Sequence, residues 1–278
     1  MAIVTIAPPD ALKHVIKQFW YTTIQDNEYS KTYRILADGS SGIIFQHHNG
    51  NSSVLDEDNT SLPISFIYGQ STTPCINQIE EHSFIFGINL QPTALRSLFL
   101  INSSELTNSI LNIEHLFPRQ FQDQLLNTPK PEQVIRLFSK RLLQQIRSRY
   151  QQDNLIDKSI ELIIQNTTEI NSKILSSYFN ISRRQFQRRF KEYIGVSTED
   201  YLRIIKFQKS LHSIQNKQFA KLSDICYDLN YADQSHFNRE FKSFSGYTPK
   251  EFLQTTATLQ PFIQKNNLRS ASFRIIKD

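Results

Sequence analysis

Two groups of side chains, set fifty-one residues apart, could do the same chemistry. The first is Arg184, Gln187, Arg188 and Lys191; the second is Ser235, Asn238, Arg239 and Lys242. An arginine fork fits the O6/N7 edge of guanine, and a Gln or Asn amide fits the N6/N7 edge of adenine. Lysine adds a point charge suited to phosphate. A solvated polar helix face is the plainer reading of either group alone. Its repetition with matching residue types argues for recognition of base edges.

The elements that must carry these groups repeat with them. Ser182–Leu202 (SRRQFQRRFKEYIGVSTEDYL) and Asp233–Leu253 (DQSHFNREFKSFSGYTPKEFL) align without a gap. Phe186 then meets Phe237, Arg188 meets Arg239, Phe190 meets Phe241, Lys191 meets Lys242 and Gly195 meets Gly246. At 100° per residue, Phe186, Phe190 and Tyr193 share one stripe, as do Phe237, Phe241 and Phe244, and the donors lie opposite. Ser182 and Asp233 are N-cap residues, and Gly195 and Gly246 stand where each helix must stop. Before each helix comes a short amphipathic one and a turn, Ile174–Ile181 and Ile225–Tyr231. Ser176 and Cys226 are small enough for two helices to approach, and Asn180 and Asn230 tolerate a left-handed turn. The pattern is helix–turn–helix, twice.

On these residues, the segment from about Asn171 to Thr256 resembles the DNA-binding domain of the AraC/XylS family of bacterial transcription regulators. The match is strongest over Ile225–Phe252, ICYDLNYADQSHFNREFKSFSGYTPKEF. Asn230 stands for the usual turn Gly, Tyr231 for Phe, and Cys226 and Ser176 for Ala. The resemblance implies a cytoplasmic, sequence-specific DNA-binding transcription regulator, an activator rather than a repressor, whose partners are double-stranded DNA and RNA polymerase. Arg184, Gln187 and Arg188 would read one major groove; Gln234, Ser235, His236, Asn238 and Arg239 would read the next. Ser182, Arg183, Lys191 and Lys242, at helix starts and flanks, would meet phosphates. So would Lys206, which stands where the family usually has Arg.

Composition agrees with a soluble, two-domain chain of the α+β class. Of its 278 residues, 39% are hydrophobic and 21% charged, an ordinary globular balance. The start, MAIVTIAPPDALKH, lacks the features of a signal peptide, and no apolar run approaches the ~20 residues of a membrane span. Cys75 and Cys226 lie far apart and offer neither a disulfide framework nor metal-ligand spacing. The net charge of +5 is unevenly held: −4 over residues 1–170, +6 over 171–256 and +3 over 257–278. Basic character therefore collects where the donors are, as a phosphate-binding surface requires.

The first half reads as β-rich. After an amphipathic segment at Ala11–Trp20, strands are expected at Thr32–Leu36, Gly42–His47, Ser52–Leu55, Ile64–Gly69, Cys75–Ile79 and Phe84–Leu90. Asp38-Gly39 and Asn49-Gly50 are hairpin-type turns. Such spacing suggests a small barrel or folded sheet. Trp20, Tyr33, Phe45, Phe66, Tyr68, Phe84 and Phe86 could line a small-molecule pocket or form plain core. His47 and His48, adjacent on a strand, point to opposite faces and cannot share a metal. His82 and Asp56-Glu57-Asp58 read as solvated loops. There is no G-x-S-x-G, phosphate loop or Cys/His dyad, so neither catalysis nor a cofactor is expected. In the AraC/XylS family this half commonly binds an effector and dimerises; no ligand motif appears here, and effector residues stay unassigned.

Helices follow at Gln91–Phe99 and Pro131–Arg149. The second carries a stripe of Val134, Leu137, Phe138, Leu142 and Ile146 that could pack on its own domain or on a second copy. Residues 151–154 form a polar linker, Asp157–Asn166 the next helix, and Ser197–Gln215 a long helix joining the two motifs, with Ser197 and Asp200 as a capping pair. About 18 residues at 1.5 Å gives roughly 27 Å, able to hold two recognition helices about one DNA turn (~34 Å) apart. The expected division is 1–152 regulatory and dimerisation domain, 153–256 double helix-turn-helix domain and 257–278 a basic, polar tail, disordered by default but with a short β-like run at Ser272–Ile276. Two other readings remain: a DNA-modifying enzyme using the module for targeting, and a nonspecific architectural DNA binder.

Overall fold

The computed structural model describes residues 3–24, 32–254 and 275–277. The chain opens with β1 (Val4–Ile6), β2 (Ile16–Thr23), β3 (Thr32–Ile35), β4 (Gly42–His47) and β5 (Val54–Leu55). Next come β6 (Ser65–Tyr68), β7 (Cys75–Ile79), β8 (Phe84–Leu90), α1 (Ala94–Phe99) and β9 (Ile110–Asn112). They form a six-stranded antiparallel sheet in the order β1-β2-β8-β4-β6-β9, facing a smaller sheet that contains β3, β7 and β5. The expected Ala11–Trp20 segment is corrected. Its Leu12, Val15, Ile16 and Phe19 fall at helical spacing, but residues from Ile16 on enter β2, whose faces are both covered. A strand buried on both sides shows no alternation to read. Asp38-Gly39 is likewise no hairpin, because β3 and β4 belong to different sheets. Asn49 and Gly50, both at positive φ, do make a tight turn closed by a His48–Asn51 bridge.

Strand parity splits the seven aromatics between two cores. Trp20, Tyr33 and Phe66 lie between the sheets with Ile44, Val54, Ile79 and Ile85, and Tyr68 packs against them. Phe45 and Phe86, with Phe84 beside them, face the helices on the other side. Successive residues of a strand point to opposite faces, so one pocket cannot collect all seven. Gly87 is fixed by close approach: a Cβ there would lie 2.1 Å from the Trp20 ring. Trp20 in turn donates its indole N–H to Asn89 Oδ1 at 2.8 Å.

Helices α2 (Arg119–Leu126) and α3 (Pro131–Arg149) cover the outer face of the large sheet. Val134, Phe138 and Leu142 are fully buried there, and the Phe138 ring stacks on Phe86 with centroids 5.4 Å apart. The stripe of α3 therefore serves its own domain.

The second half is helical: α4 (Asn154–Gln165), α5 (Ser172–Tyr178), α6 (Arg183–Ile194), α7 (Thr198–Gln215), α8 (Leu222–Asp228) and α9 (Gln234–Ser245), with a last helical stretch at 249–254. Its core stacks Phe186, Phe190, Phe207, Phe237, Phe241 and Phe252, all fully buried. Leu36 and Ala37, from the loop after β3, are part of that core. Most of the expected tail lies outside the described residues. Where the β-like run Ser272–Ile276 is expected, Ile275–Lys277 form β10, antiparallel to β3 at the edge of the smaller sheet, which corrects the default of disorder there.

Candidate nucleic-acid interface

Each motif is built from local rules that its sequence satisfies. In the first, Asn171 caps α5 by accepting from the Lys173 and Ile174 amides, both at 3.0 Å. Ser176 is buried where α5 meets α6, and Asn180 takes the left-handed turn at φ 54°. Ser182 Oγ accepts the Gln185 amide at 3.2 Å, and Gly195 ends α6 at φ 99°. In the second, Asp224 accepts the Lys221 amide at 2.7 Å, and Asn230 turns at φ 52°. Asp233 accepts the His236 amide at 2.7 Å, and Gly246 closes α9 at φ 81°. Asp and Ser caps satisfy first-turn amides that have no partner within the helix.

The outer faces of α6 and α9 are then available. Arg184, Arg188, Lys191, Gln234, Ser235, Arg239 and Lys242 are exposed. The side chains of Arg184, Arg188, Lys191, Gln234, Ser235 and Arg239 make no hydrogen bond or ion pair to a described residue. Asn238 and His236 are half-buried. The His236 ring packs edge-on to Tyr231 at 5.6 Å and stands 3.9 Å from Glu240. Gln187 is also half-buried and donates to Ser172 Oγ at 3.4 Å.

Other expected contacts are committed within the protein. Arg183 donates to Ser172 Oγ at 3.0 Å and to Glu199 at 3.3 Å, and Ser172 itself donates to Glu199. Desolvation works to raise the Glu199 pKa, but the hydrogen bonds from Ser172, its own backbone and Arg183 outweigh it and hold the carboxyl below its usual value. Ser182 is occupied as a cap. Lys206 donates to the Asn230 carbonyl at 3.3 Å and sits 5.5 Å from the Tyr231 ring. Desolvation lowers its pKa despite nearby Glu240. Lys206 thus braces the turn of the second motif.

Sequence reasoning missed the residues that fix the two readers to their frame. Arg203 of α7 grips Glu240 of α9 and also holds Asp200 at 2.9 Å. Asp153 caps α4 and meets Arg189 of α6 at 2.5 Å. The first half reaches both motifs as well. Arg96 pairs with Glu192 at 2.7 Å, and Ser103 and Thr107 hydroxyls donate to the Tyr193 and Gly195 carbonyls, each at 2.7 Å. Gln208 of α7 donates to the Ala37 carbonyl at 2.5 Å, and the Arg34 guanidinium lies 4.8 Å from the Tyr247 ring centre. The readers themselves were signalled by their repetition fifty-one residues apart; ion pairs between distant positions leave no local pattern.

Two family models match separate parts of the chain. Residues 175–255 match a family described as a helix-turn-helix domain, and residues 4–112 match a domain of unknown function, DUF6597. The transcriptional activator RhaS of Escherichia coli O139:H28 is 27% identical over 86 residues, which cover 31% of this chain and 31% of RhaS. RhaS of Shigella dysenteriae aligns more widely, 21% identical over 68% of this chain and 72% of its own length. The F1 operon positive regulatory protein of Yersinia pestis is 34% identical over 30% of this chain and 27% of that protein. The chain therefore spans about a third or less of the first and last of these. Among solved structures, ToxT from Vibrio cholerae O395 superposes with a TM-score of 0.46 at 17% identity, covering 87% of this chain and 98% of ToxT. The C-terminal domain of AraT from Geobacillus stearothermophilus gives 0.35 at 18% identity, covering 37% and 86%.

Proposed function

We infer that this chain, whose double helix-turn-helix domain makes it a member of the AraC/XylS family, acts as a sequence-specific transcriptional activator. The observation that carries the reading is the pair of matched, uncommitted donor faces, Arg184 and Arg188 on α6 and Ser235 and Arg239 on α9. Both helices are held to α7, the first by Phe190 against Tyr201 and the second by Phe207 against Phe241 and by Arg203. On this reading Arg184, Gln187 and Arg188 read one major groove, and Gln234, Ser235, His236, Asn238 and Arg239 the next. Lys191 and Lys242 meet phosphates. Arg183, Ser182 and Lys206 flank the backbone in the same reading, each while holding a partner within the protein.

We take residues 1–152 as the regulatory domain and 153–256 as the DNA-binding domain. The division falls immediately before Asp153, which caps the first helix of the second unit. RNA polymerase and a small-molecule effector are the partners this assignment calls for. Homodimerisation would add affinity through effective concentration. The test is selection of bound sequences from random DNA by the full chain, followed by binding of Arg188→Ala and Arg239→Ala to the selected site. A chain with no preference for any sequence would be an architectural binder instead.

A further inference from the structure

The stripe Arg184–Arg188–Lys191 does not end in open solvent. Its last two members line a cleft of about 330 Å³ whose other wall is Asn102 and Ser104, from the first half of the chain. Glu192 also lines it, but that carboxylate is paired with Arg96. The Arg188 guanidinium and the Lys191 ammonium have no acceptor among the described residues. Asn102 uses only its carbonyl oxygen, which accepts the Ser104 amide at 3.2 Å and the Ser104 hydroxyl at 2.9 Å. Its NH₂ group has no acceptor among the described residues. The cleft thus gathers two cations and an amide donor, with its one anion already neutralised.

The far wall is held in place. Ser103, between the two lining residues, donates to Tyr193, and Thr107 donates to Gly195, so the turn Ser103–Leu106 is tied to the C-terminal end of α6. A donor set of this kind suits a singly charged tetrahedral anion. Its continuity with the reading face selects which anion: a recognition helix in a major groove is flanked by the backbone, and the end carrying Lys191 is where that backbone would pass.

We propose that the cleft between Asn102 and Ser104 of the N-terminal domain and Lys191 of α6, beside the base-reading Arg188, binds a backbone phosphate of the target DNA through Lys191 and the Asn102 amide, making the N-terminal domain part of the DNA interface. The inference rests on the function proposed above and adds a second domain to it.

The test uses the full chain and the substitution Asn102→Asp. Asp is as good a cap as Asn, so the Ser103–Leu106 turn keeps its hydrogen bonds while the donors become a negative charge. Binding to the selected site and to random DNA is measured across a salt series, with thermal unfolding as a folding control. Loss of one phosphate contact should weaken both DNAs about tenfold and flatten the log–log salt slope by about 0.9. Ser104→Lys, adding a cation to the same wall, should steepen that slope by a similar amount. Unchanged slopes for both variants, with wild type still preferring its site, would overturn the cleft and leave the proposed function standing. Slopes that shift without any sequence preference would do the reverse. Inorganic phosphate is the remaining arm. If it stabilises wild type but not Asn102→Asp against heat while the DNA slopes stay fixed, the cleft holds a free anion and the DNA assignment fails.

Discussion

Arg203 clasps Glu240 with both ends of its guanidinium, Nε at 2.6 Å and Nη2 at 2.9 Å. The two residues lie on α7 and α9, so this pair sets the second reader against the helix that also carries the first. Glu240 is largely buried, with 14% of its side chain exposed, whereas Arg203 is 46% exposed.

Removing Arg203 strands a buried carboxylate, so Arg203→Ala should cost more than Glu240→Gln. About 1–3 kcal/mol of stability is expected for Arg203→Ala, below the 3–5 of a fully buried pair because solvent screens the guanidinium. Urea denaturation of both single variants and the double variant measures it. A coupling near zero would make the pair ornamental.

Arg188→Ala and Arg239→Ala should each cost about 1–3 kcal/mol at the selected site and relax preference at one position. Each is to be compared on selected and random DNA. Equal losses on both would reassign the residue to phosphate or to structure.

Asp153 accepts amides from Leu155 and Ile156 and pairs with Arg189 while only 2% exposed. Asp153→Ala should lower stability by about 2 kcal/mol, the cap contributing roughly half. Asp153→Asn should recover the cap portion only. Unfolding midpoints that leave the two variants indistinguishable would assign the whole effect to the charge pair or to none.

The Asp38 carboxyl, on the loop against α7, is pushed up by desolvation, opposed by Lys17 and by hydrogen bonds from Ser40. A carboxyl whose folded pKa lies above its unfolded value stabilises fully below the unfolded pKa and loses that contribution as pH rises through the folded one. Asp38→Asn should therefore raise the melting temperature at about pH 7 and have no effect at about pH 3, below the ordinary carboxylate value of ~3.9. The same gain at both pH values would show that ionisation is not the cause.

The two readers should engage successive grooves on one face of DNA. Inserting about 5 bp between their contacted elements turns one away, and α7 cannot follow without breaking. Affinity in gel shift should fall to near its level on random DNA, and a full-turn insertion should not restore it, since roughly 27 Å of helix cannot span an added ~34 Å. Recovery at the full turn would show that α7 is not a rigid spacer.

Much of this was legible in the sequence. Gly42–His47, Cys75–Ile79, Phe84–Leu90 and Pro131–Arg149 fall where their patterns placed them, since each has a marked turn or proline at its start and a period its burial demands. Both motifs were legible because their caps, glycines and phenylalanines are local signals. β2 was not, having Ile16, Gln18, Phe19 and Trp20 all buried. Nor were the partners of Arg96, Ser103, Thr107 and Gln208, which lie some ninety or more residues away in sequence. Their hydroxyls, amides and charges look like any surface residue until the two halves meet.

The pairing of β10 with β3 changes what kind of object the helical half is. Strands before it and after it belong to one sheet, so in chain topology it is a guest inserted into a host rather than a bead on a string. A bead hangs on one linker; a guest is moored to its host twice in sequence, before Asp153 and again through the strand Ile275–Lys277. Between those two moorings, hydrogen bonds from Ser103, Thr107 and Gln208 hold it against the host. A label or fusion partner joined after β10 would load one of those moorings directly, and should be placed elsewhere when domain motion is the quantity being measured.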